Sequence, residues 1–375
     1  MDALTRLSGD AQDFVEKVWA HRIHVHHASA SELAGLLSTD DVDRLLTSSA
    51  LRTPALRMVQ DGAVLPSTRY TRSATMAGVA LTGLVDARKV LALFDGGASV
   101  VLQGLHRYWP PLTELVRDLE LTLGHACQAN AYLTPPGSQG FALHSDTHDV
   151  FVVQTHGAKD WEVHDGREVN RIRMEPGVSM YLPTGTPHAA RTQSDASLHV
   201  TIGINRTTWR EVLQRQLTRL LADPAFNEPL PAGFHRDPAD FAALLAAHVD
   251  RVRGLVDTAD VGALAGSEID RFATSRASAL RGGLVDRLRL TSLHDGSWLR
   301  RRRGSVCELR ADGERLRVLL GDREMLVPGW LAEPLEAVRS ADRLRPSDLA
   351  EWLDEASRLV LVRRLVREGM LEVER

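Results

Sequence analysis

Lysine and cysteine are scarce in this sequence. Of its 45 basic residues only Lys17, Lys89 and Lys159 are lysines, so each of them invites an explanation. Cys127 and Cys307, the only cysteines, lie far apart and form no CxxC pair. Neither a disulfide framework nor a thiolate metal site is therefore indicated, and both thiols are expected to be reduced.

Long apolar runs and a strong net charge are also missing. No run approaches the roughly 18 apolar residues of a membrane span, and the first residues lack a basic region followed by an apolar stretch. We therefore expect a cytoplasmic protein with no membrane partner. The net charge of -4 gives no global electrostatic reason for binding to nucleic acid or to an anionic membrane.

The composition that is present is globular, and its pattern changes along the chain. With 375 residues, 43% hydrophobic and 25% charged, two or three domains are expected. Helical spacing and caps predict a helical lead-in over 1–64, short β runs predict a barrel over 65–209, and amphipathic helices predict a helical domain over 210–288. The mixed signals of 289–375 are compatible with a helix-turn-helix plus a wing. The predicted fold class is α+β.

The predicted barrel strands are short and closely spaced, as in a sandwich or barrel. Residues 155–158 are interpreted as a hairpin turn between two strands and 183–187 as a tight turn, both near the barrel mouth. The β runs are 98–103, 127–133, 150–154, 161–164, 179–182 and 198–202.

The C-terminal segment lacks a basic surplus. Residues 286–375 contain 18 Arg against 17 Asp plus Glu, so nucleic acid is not an expected partner. The one basic cluster, Arg300 to Arg303, is interpreted as a solvated turn.

Three potential metal ligands follow a recognisable spacing. His144 and Asp146 are two apart on a stretch that is predicted to be a strand, and His188 follows in Tyr-Leu-Pro-Thr-Gly-Thr-Pro-His. Alternate strand residues share a face and lie roughly 6.5 Å apart, so both side chains can converge on one ion while Ser145 points away. Two imidazoles and one carboxylate leave open positions, which favours Fe(II) and oxygen chemistry over zinc.

Lys159 is expected to lie near these ligands. Alternation places Lys159, Trp161 and Val163 on one face of a strand. If that face is interior, a buried ammonium needs an anion, and a dicarboxylate co-substrate would supply one. Trp161 itself is interpreted as a core residue.

Two neighbouring strands offer further contacts. Asn130, Tyr132 and Thr134 share a face and could hydrogen-bond the same carboxylate, with Thr134 as the first choice. On the last barrel strand Ser197, His199 and Thr201 point together. His199 could contact the co-substrate or support the metal site, or it could be a hydrogen-bonded core histidine.

Other conspicuous residues are given structural interpretations. The cluster His21-Arg-Ile-His-Val-His-His27 lacks an obvious carboxylate or cysteine complement, so we do not expect a second metal site. His148 follows His144 and Asp146 at the same two-residue spacing, so it should share their strand face and could line the pocket. Asp149 should lie on the opposite face. Trp109 is expected to pack.

Four segments together resemble a known family. They are Asn130-Ala-Tyr-Leu-Thr-Pro-Pro-Gly-Ser-Gln-Gly, His144-Ser-Asp-Thr-His-Asp-Val-Phe-Val-Val-Gln, Lys159-Asp-Trp and Tyr181-Leu-Pro-Thr-Gly-Thr-Pro-His. On these motifs the sequence resembles the JmjC/cupin oxygenases of the ribosomal-oxygenase group, and the later regions match that family in layout.

The resemblance implies a double-stranded β-helix (jelly-roll) core, with Fe(II) on His144, Asp146 and His188. It also implies 2-oxoglutarate as co-substrate, with its distal carboxylate on Lys159, and O2. Residues 210–288 would form a helical dimerisation domain and 289–375 a winged-helix-like domain. The loop before His144 departs in length, which shifts the match to Thr134 by up to one residue.

The sequence thus predicts a dioxygenase that hydroxylates a protein or peptide, with a His or Arg side chain of a ribosomal protein as the expected target. Two alternatives remain open. One is hydroxylation of a biosynthetic peptide or a free amino acid. The other is a non-enzymatic cupin-like regulator that binds DNA, which would need a basic recognition face and would leave Lys159 without an anion.

Overall fold

Segments with alternating burial form the strands that carry the site. In Lys159–His164 every second residue is buried, and Ala126–Thr134 alternates over most of its length. Such alternation gives each strand two distinct faces. The computed structural model describes residues 1–138, 142–166, 168–191, 195–278 and 280–374, with only the backbone for residue 191.

The described chain forms two compact units, Met1–Arg206 and Thr207–Arg375. This division lies close to the boundary predicted after residue 209. The boundaries predicted after residues 64 and 288 stay predictions.

The first unit contains short helices and two main sheets. Its helices are α1 Ala3–Ser8, α2 Ala11–Lys17, α3 Ala30–Ala34, α4 Thr39–Ser48, α5 Ala87–Asp95 and α6 Pro110–Leu123. Its strands are β1 His24–His27, β2 Leu56–Gln60, β3 Ala63–Val64, β4 Thr71–Met76, β5 Val79–Val85, β6 Ser99–Leu102, β7 Ala126–Thr134, β8 Asp149–His156, β9 Lys159–His164, β10 Val169–Met174, β11 Val178–Leu182, β12 His188–Arg191 and β13 Ser197–Asn205.

The large sheet has the order β1-β11-β8-β13-β7-β6-β2-β3, and the small sheet has the order β10-β9-β12. β4 and β5 form a separate hairpin. The lead-in over 1–64, predicted to be helical, therefore also contains strands, because β1, β2 and β3 belong to the large sheet. These strands are at most five residues long, which is too short to display a clear period against the flanking helices.

The turn at 155–158 is not a hairpin, because β8 belongs to the large sheet and β9 to the small one. Gly157 makes the crossing possible: its φ is +60°, and a Cβ there would lie 2.0 Å from the carbonyl oxygen of Ala196. The turn at 183–187 crosses in the same way from β11 to β12. The chain thus winds between the sheets, as in a jelly roll.

Two apolar clusters lie on opposite faces of the large sheet. On one face Met58, Val100 and Val200 pack with the N-terminal helices, which contribute Leu4 and Phe14. The other face packs against the small sheet. The second cluster consists of Val150, Val152, Trp161, Val163, Met174, Val178, Met180, Leu182 and Ala190.

The second unit combines helices with two small sheets. Its helices are α7 Trp209–Leu220, α8 Pro238–Asp257, α9 Val261–Thr274, α10 Gly283–Arg289, α11 Ala332–Ser340 and α12 Glu355–Glu368. Its strands are β14 Leu299–Arg301, β15 Glu308–Asp312, β16 Arg315–Leu319, β17 Glu324–Pro328, β18 Arg343–Leu344 and β19 Leu371–Val373. The sheets have the orders β18-β14-β19 and β15-β16-β17.

The basic cluster Arg300 to Arg303 is not a solvated turn. Arg300 and Arg301 belong to β14, and Arg300 pairs with Glu372. Arg302 is buried, forms an ion pair with Asp286 and donates to the carbonyl oxygen of Gly369. Arg302 is therefore a structural cation, buried and held by its ion pair and hydrogen bond.

None of the helices in the described ranges combines the length and the apolar character that a membrane crossing requires.

Candidate metal centre

The two histidines of the predicted triad face each other across a single backbone bridge. The amide nitrogen of His144 donates to the carbonyl oxygen of His188 at 3.1 Å, and the reverse bond measures 2.8 Å. The amide of Gly185 also donates to the carbonyl oxygen of Asp146 at 3.0 Å. The turn before β12 is therefore tied to the segment that carries the other two ligands.

That segment is not a regular strand, contrary to the prediction, because β8 begins only at Asp149. His144 forms an isolated bridge, and the residues between it and β8 are irregular. The side chains of His144 and Asp146 therefore converge as predicted, but on an irregular segment and not on a strand.

The side chains of His144, Asp146 and His188 are arranged to share one ion. Their potential ligand atoms all lie within 4.8 Å of one another, and His188 Nε2 lies 3.7 Å from Asp146 Oδ2. In the part of the chain that the structure describes, these three residues are the group of His, Cys, Asp or Glu side chains that could hold a metal ion. His144 is exposed and His188 buried, so the site opens on one side.

Backbone carbonyls fix the orientation of both imidazoles. His144 Nδ1 lies 2.8 Å from the oxygen of Ala142, and His188 Nδ1 lies 2.9 Å from the oxygen of Thr186. Because a carbonyl can only accept, each Nδ1 carries the hydrogen and each Nε2 keeps a lone pair for a metal. Burial lowers the pKa of His188, which favours the neutral ring that ligation requires.

A cavity of about 220 Å³ extends from the triad into the space between the two sheets. Its lining combines the three ligands with polar and apolar side chains from both sheets. The other lining residues are Arg57, Val59, Ser99, Tyr132, Thr134, Val150, Val152, Lys159, Trp161, Ala190, His199 and Thr201.

Lys159 lies buried in this cavity, as its predicted inward face requires. Its Nζ donates to Thr134 Oγ1 at 3.1 Å, and Ser99 Oγ donates to the same oxygen at 3.1 Å. Burial lowers the pKa of Lys159 to about 8. Within the described residues no carboxylate forms an ion pair with it, so the cavity holds a cation that is largely charged at neutral pH.

Thr134 is thereby prepared to donate. Two donors already occupy its oxygen, so its own hydroxyl hydrogen is available to a further acceptor in the cavity. Lys159, Thr134 and the guanidinium of Arg57 thus offer donors and no carboxylate, which is the polarity that suits an anion.

Tyr132 and His199 form a stacked pair in the cavity wall, with ring centroids 4.9 Å apart. Burial raises the pKa of Tyr132, so its hydroxyl remains a neutral donor. Burial and the charge of Lys159 lower the pKa of His199 well below its usual value. His199 Nδ1 is buried without a hydrogen-bond partner among the described residues, which does not favour the interpretation of His199 as a hydrogen-bonded core histidine.

Asn130 lies on the same strand face but is not among the cavity-lining residues. Its Oδ1 accepts from the amide of Gly104 at 3.0 Å. A role for Asn130 in cofactor binding stays a prediction.

His148 and Asp149, which follow the ligands, lie outside the lining. The ring of His148 occupies the space above Gly203, where a Cβ would meet Nε2 at 2.4 Å. Asp149 is fully buried and accepts from the backbone and hydroxyl of Thr184 at 2.7 and 2.6 Å. It also pairs with Arg206 at 3.1 Å and accepts from Tyr181.

Sequence reasoning missed Arg57, Val59 and Ser99. Arg57 and Val59 lie on β2, inside the segment that was assigned to a helical lead-in, and Ser99 begins β6. The alternation Leu-Arg-Met-Val-Gln was the available signal, but five residues give it little weight.

Comparison with known proteins agrees with this geometry. Residues 111–212 match the family model described as the JmjC domain. This part of the chain is therefore similar to JmjC domains. It contains the three ligands, Lys159 and the cavity strands β7 to β13.

Relatives of the chain include a bifunctional lysine-specific demethylase and histidyl-hydroxylase NO66 of Branchiostoma floridae. It is 34% identical over an alignment of 167 residues, and the match covers 43% of this chain and 27% of the relative. Ribosomal oxygenase 1 of Rattus norvegicus is 29% identical over an alignment of 326 residues, and the match covers 75% of this chain and 51% of the relative. The chain thus spans about half or less of the length of these relatives.

A likeness in fold extends beyond residues 111–212. The Escherichia coli ribosomal oxygenase YcfD, in a structure with cobalt and 2-oxoglutarate, matches 97% of this chain and 98% of its own, with a TM-score of 0.56 and 18% identity. At that identity the likeness shows a shared fold, a JmjC/cupin-type fold with mixed helix and sheet.

Proposed function

We propose that the protein is a dioxygenase dependent on Fe(II), 2-oxoglutarate and O2, and that it hydroxylates a protein side chain. The observation that carries this proposal is the single cavity that joins an open two-histidine, one-carboxylate site to a buried lysine without a carboxylate partner among the described residues. One end fits a divalent metal, and the other fits the far carboxylate of a dicarboxylate.

His144, Asp146 and His188 would hold the metal, since their three ligand atoms are close enough to share one ion. Lys159 and Thr134 would receive the distal carboxylate, because both present donors to the cavity. Bound iron and 2-oxoglutarate supply the oxidant that inserts oxygen into a C–H bond, and succinate and CO2 are the co-products.

The chain's own contribution is binding, orientation and exclusion of water. Val150, Val152 and Trp161 form apolar parts of the cavity wall. His199, neutral and without a hydrogen-bond partner at Nδ1 among the described residues, could accept from or donate to the co-substrate. Tyr132 would add a neutral hydroxyl donor. Such positioning accounts for the catalytic role of a protein whose cofactor performs the chemistry.

The substrate that the relatives favour is a ribosomal protein, and we propose one of its His or Arg side chains as the target. Support comes from the names of the relatives, ribosomal oxygenase and histidyl-hydroxylase. Asp146 supports hydroxylation, because it completes a metal site that leaves positions open for co-substrate and O2.

A direct test is anaerobic titration of the protein with Fe(II) and 2-oxoglutarate, followed by exposure to oxygen and a succinate assay. Wild type should bind 2-oxoglutarate and release succinate. His144→Ala should lose metal-dependent turnover, and Lys159→Ala should lose 2-oxoglutarate affinity. A wild-type protein that does not bind 2-oxoglutarate would overturn the proposal.

The substrate is tested separately by mass spectrometry of ribosomal proteins from cells with and without the protein. A peptide that gains the mass of one oxygen atom only when the protein is present supports a ribosomal target. Turnover with a free amino acid or a biosynthetic peptide, and no such peptide, would favour the alternative hydroxylase.

We also infer that helices over 210–288 join two copies of the chain. α8 has no buried residue, although one side carries Leu244, Leu245 and Val249, which are 44, 52 and 41% exposed. Apolar side chains exposed at helical spacing fit a symmetric partner. Light scattering after size exclusion should give a dimer mass, and Leu245→Glu should give a monomer mass.

The segment 289–375 is proposed to be winged-helix-like. Support comes from α11 and α12, which bury Leu335, Val338 and Val362 in one cluster with β14 and β19. The near balance of arginine and acidic residues there does not favour nucleic acid as a partner.

A further inference from the structure

Lys159 differs from the other two lysines of the chain in its surroundings. Lys17 is exposed and paired with Asp13, and Lys89 is exposed and donates to a backbone carbonyl oxygen. Lys159 is 3% exposed, and its Nζ contacts the hydroxyl of Thr134 at 3.1 Å. Within the described residues no carboxylate pairs with it. Its amine therefore has no anion that would keep it protonated.

The position of Lys159 makes its amine both reactive and reachable. Burial lowers its pKa to about 8. At about pH 7.5 roughly a quarter of the Lys159 side chains are then neutral, against about 0.1% for a lysine with the ordinary pKa of 10.5. His144 lines the same cavity of about 220 Å³ and is exposed, so a small molecule can enter from solvent.

Positive charge dominates the lining of this cavity. Among the lining residues that the structure describes, Lys159 and Arg57 are cations, and Asp146 is the one carboxylate. The charge of Lys159 also contributes to the lowered pKa of His199, so the ammonium opposes a second positive charge in the same space. Conversion of Lys159 into an anion therefore relieves repulsion in the ligand-free cavity, and Arg57 remains as a cation.

CO2 is the electrophile that suits these conditions, because it is small and uncharged and is a co-product of the proposed reaction. We propose that Lys159 is a site of reversible carbamylation by CO2, and that the carbamate blocks the binding of 2-oxoglutarate. The inference rests on the proposed function, since it concerns the regulation of the lysine that would receive the distal carboxylate.

The step needs no oxidant and no co-reactant besides CO2. The lone pair of the neutral Nζ attacks the carbon of CO2, a C–N bond forms, and one carbon–oxygen π pair moves onto oxygen. An amine proton then passes to solvent, so the product carries one negative charge. Its remaining N–H can keep the hydrogen bond to Thr134. Because the carbamate repels the carboxylate that the ammonium attracts, the two ligands exclude each other.

The modification is tested by chemical trapping. The full chain, loaded anaerobically with Fe(II), is incubated with isotope-labelled bicarbonate, and carbamates are alkylated with triethyloxonium ion. Peptide mapping by mass spectrometry should find the labelled ethyl carbamate on Lys159 and not on Lys17 or Lys89. Bicarbonate that is bound without a covalent bond gives no such adduct on lysine.

A binding experiment connects the carbamate to the co-substrate. Calorimetry at constant pH and ionic strength should give a Kd for 2-oxoglutarate that rises with CO2. At the CO2 concentration that modifies half of the protein, this Kd should be about twofold higher, as expected for two ligands that exclude each other. Saturating 2-oxoglutarate should in turn suppress the adduct on Lys159.

Lys159→Arg is the matched variant, because a guanidinium keeps the charge but stays protonated and forms no carbamate. Its affinity for 2-oxoglutarate should not depend on CO2. Lys89→Arg, the same change at an exposed position, should retain both the adduct on Lys159 and the dependence on CO2. If Lys159→Arg does not fold, the position of the adduct in wild type decides.

Three results would overturn the inference: no adduct on Lys159, adducts of equal yield on all three lysines, or an affinity for 2-oxoglutarate that does not change with CO2 while Lys159 is modified. Failure of wild type to bind 2-oxoglutarate even without CO2 would instead contradict the proposed function. The adduct is detected without 2-oxoglutarate, so the two failures are distinguishable.

Discussion

His144 and His188 hydrogen-bond to each other through their backbones in both directions, at 3.1 and 2.8 Å. The register of the two ligand segments is thus set by main-chain atoms and does not depend on an ion. Their imidazoles are oriented by carbonyl oxygens in the same way. The metal site is preorganised by the fold.

A preorganised site predicts that metal adds stability without rebuilding structure. Fe(II) added anaerobically at one hundred times its Kd should increase the free energy of unfolding of wild type by about 2.7 kcal/mol and so raise its melting temperature. The circular dichroism spectrum should stay unchanged. His188→Ala should lose the rise. His164→Ala, a histidine of β9 outside the triad, should retain it. A large spectral change on metal addition would contradict preorganisation.

The lysine predicts how co-substrate binding depends on pH. Burial lowers the pKa of Lys159 to about 8, so its ammonium is lost in the ligand-free protein above that pH. If the charged form binds the carboxylate, Kd for 2-oxoglutarate should rise about tenfold per pH unit above about pH 8. Calorimetry from about pH 6 to about pH 9 measures this. Lys159→Arg should keep its affinity constant over the range.

The same pKa shift has the opposite sign for folding. Between the folded pKa of about 8 and the ordinary value of 10.5 the unfolded chain binds more protons, so the stability of the ligand-free protein should rise with pH in that window. At neutral pH the buried charge is a cost. Lys159→Met should therefore stabilise the ligand-free protein by on the order of 1–3 kcal/mol in urea titrations, while 2-oxoglutarate binding is lost.

Replacement of Thr134 should weaken the binding of 2-oxoglutarate selectively. Thr134→Val keeps the shape of the side chain but removes the oxygen that Lys159 and Ser99 share. Affinity for 2-oxoglutarate should fall by about tenfold. Thr155→Val is the control, since Thr155 is equally buried and donates to Leu198 outside the cavity lining. Equal effects of the two changes would argue against a role of Thr134 in binding.

Gly157 predicts a large loss of stability. An alanine there would have both a positive φ and a Cβ 2.0 Å from the oxygen of Ala196. Gly62 also has a positive φ, +77°, but open space around it. Gly62→Ala should cost about 1 kcal/mol in urea unfolding, from backbone strain alone. Gly157→Ala should cost roughly 3 kcal/mol or more, because the β8–β9 crossing must shift.

From the contacts of Asp149 we expect its buried carboxylate to affect both the stability of the protein and its affinity for metal. It holds Thr184, in the turn that leads to His188, and pairs with Arg206. Asp149→Asn should destabilise the protein by about 3 kcal/mol, because Arg206 loses its buried partner. Metal affinity measured by calorimetry should fall as well. Asp165→Asn, at an exposed position, should change neither quantity.

The parts of the fold that the sequence predicted are those with a strong period. Lys159 and Trp161 are buried as alternation required, because β9 is six residues long and every second one of its residues is buried. The triad was predictable because residue types and spacing restrict which side chains can share an ion. Thr134 was predictable because it shares a strand face with Tyr132.

The parts that were missed depend on pairing between distant segments. The local sequence does not indicate that β8 and β9 belong to different sheets, because a short turn between two strands is typical of a hairpin. Arg57 enters the cavity only because β2 pairs with β6, and that pairing is invisible in the five residues of β2. Arg302 was assigned to solvent because its partner Asp286 lies on another element.

The donors at the lysine end recognise a terminal carboxylate and nothing else of the molecule that carries it. Succinate, the expected product, keeps that carboxylate, so Lys159, Thr134 and Tyr132 would hold spent and fresh co-substrate alike. Discrimination between them is left to the metal end, where the keto group is lost. The affinity of the lysine end should therefore set how strongly succinate inhibits and how long it delays the next turnover.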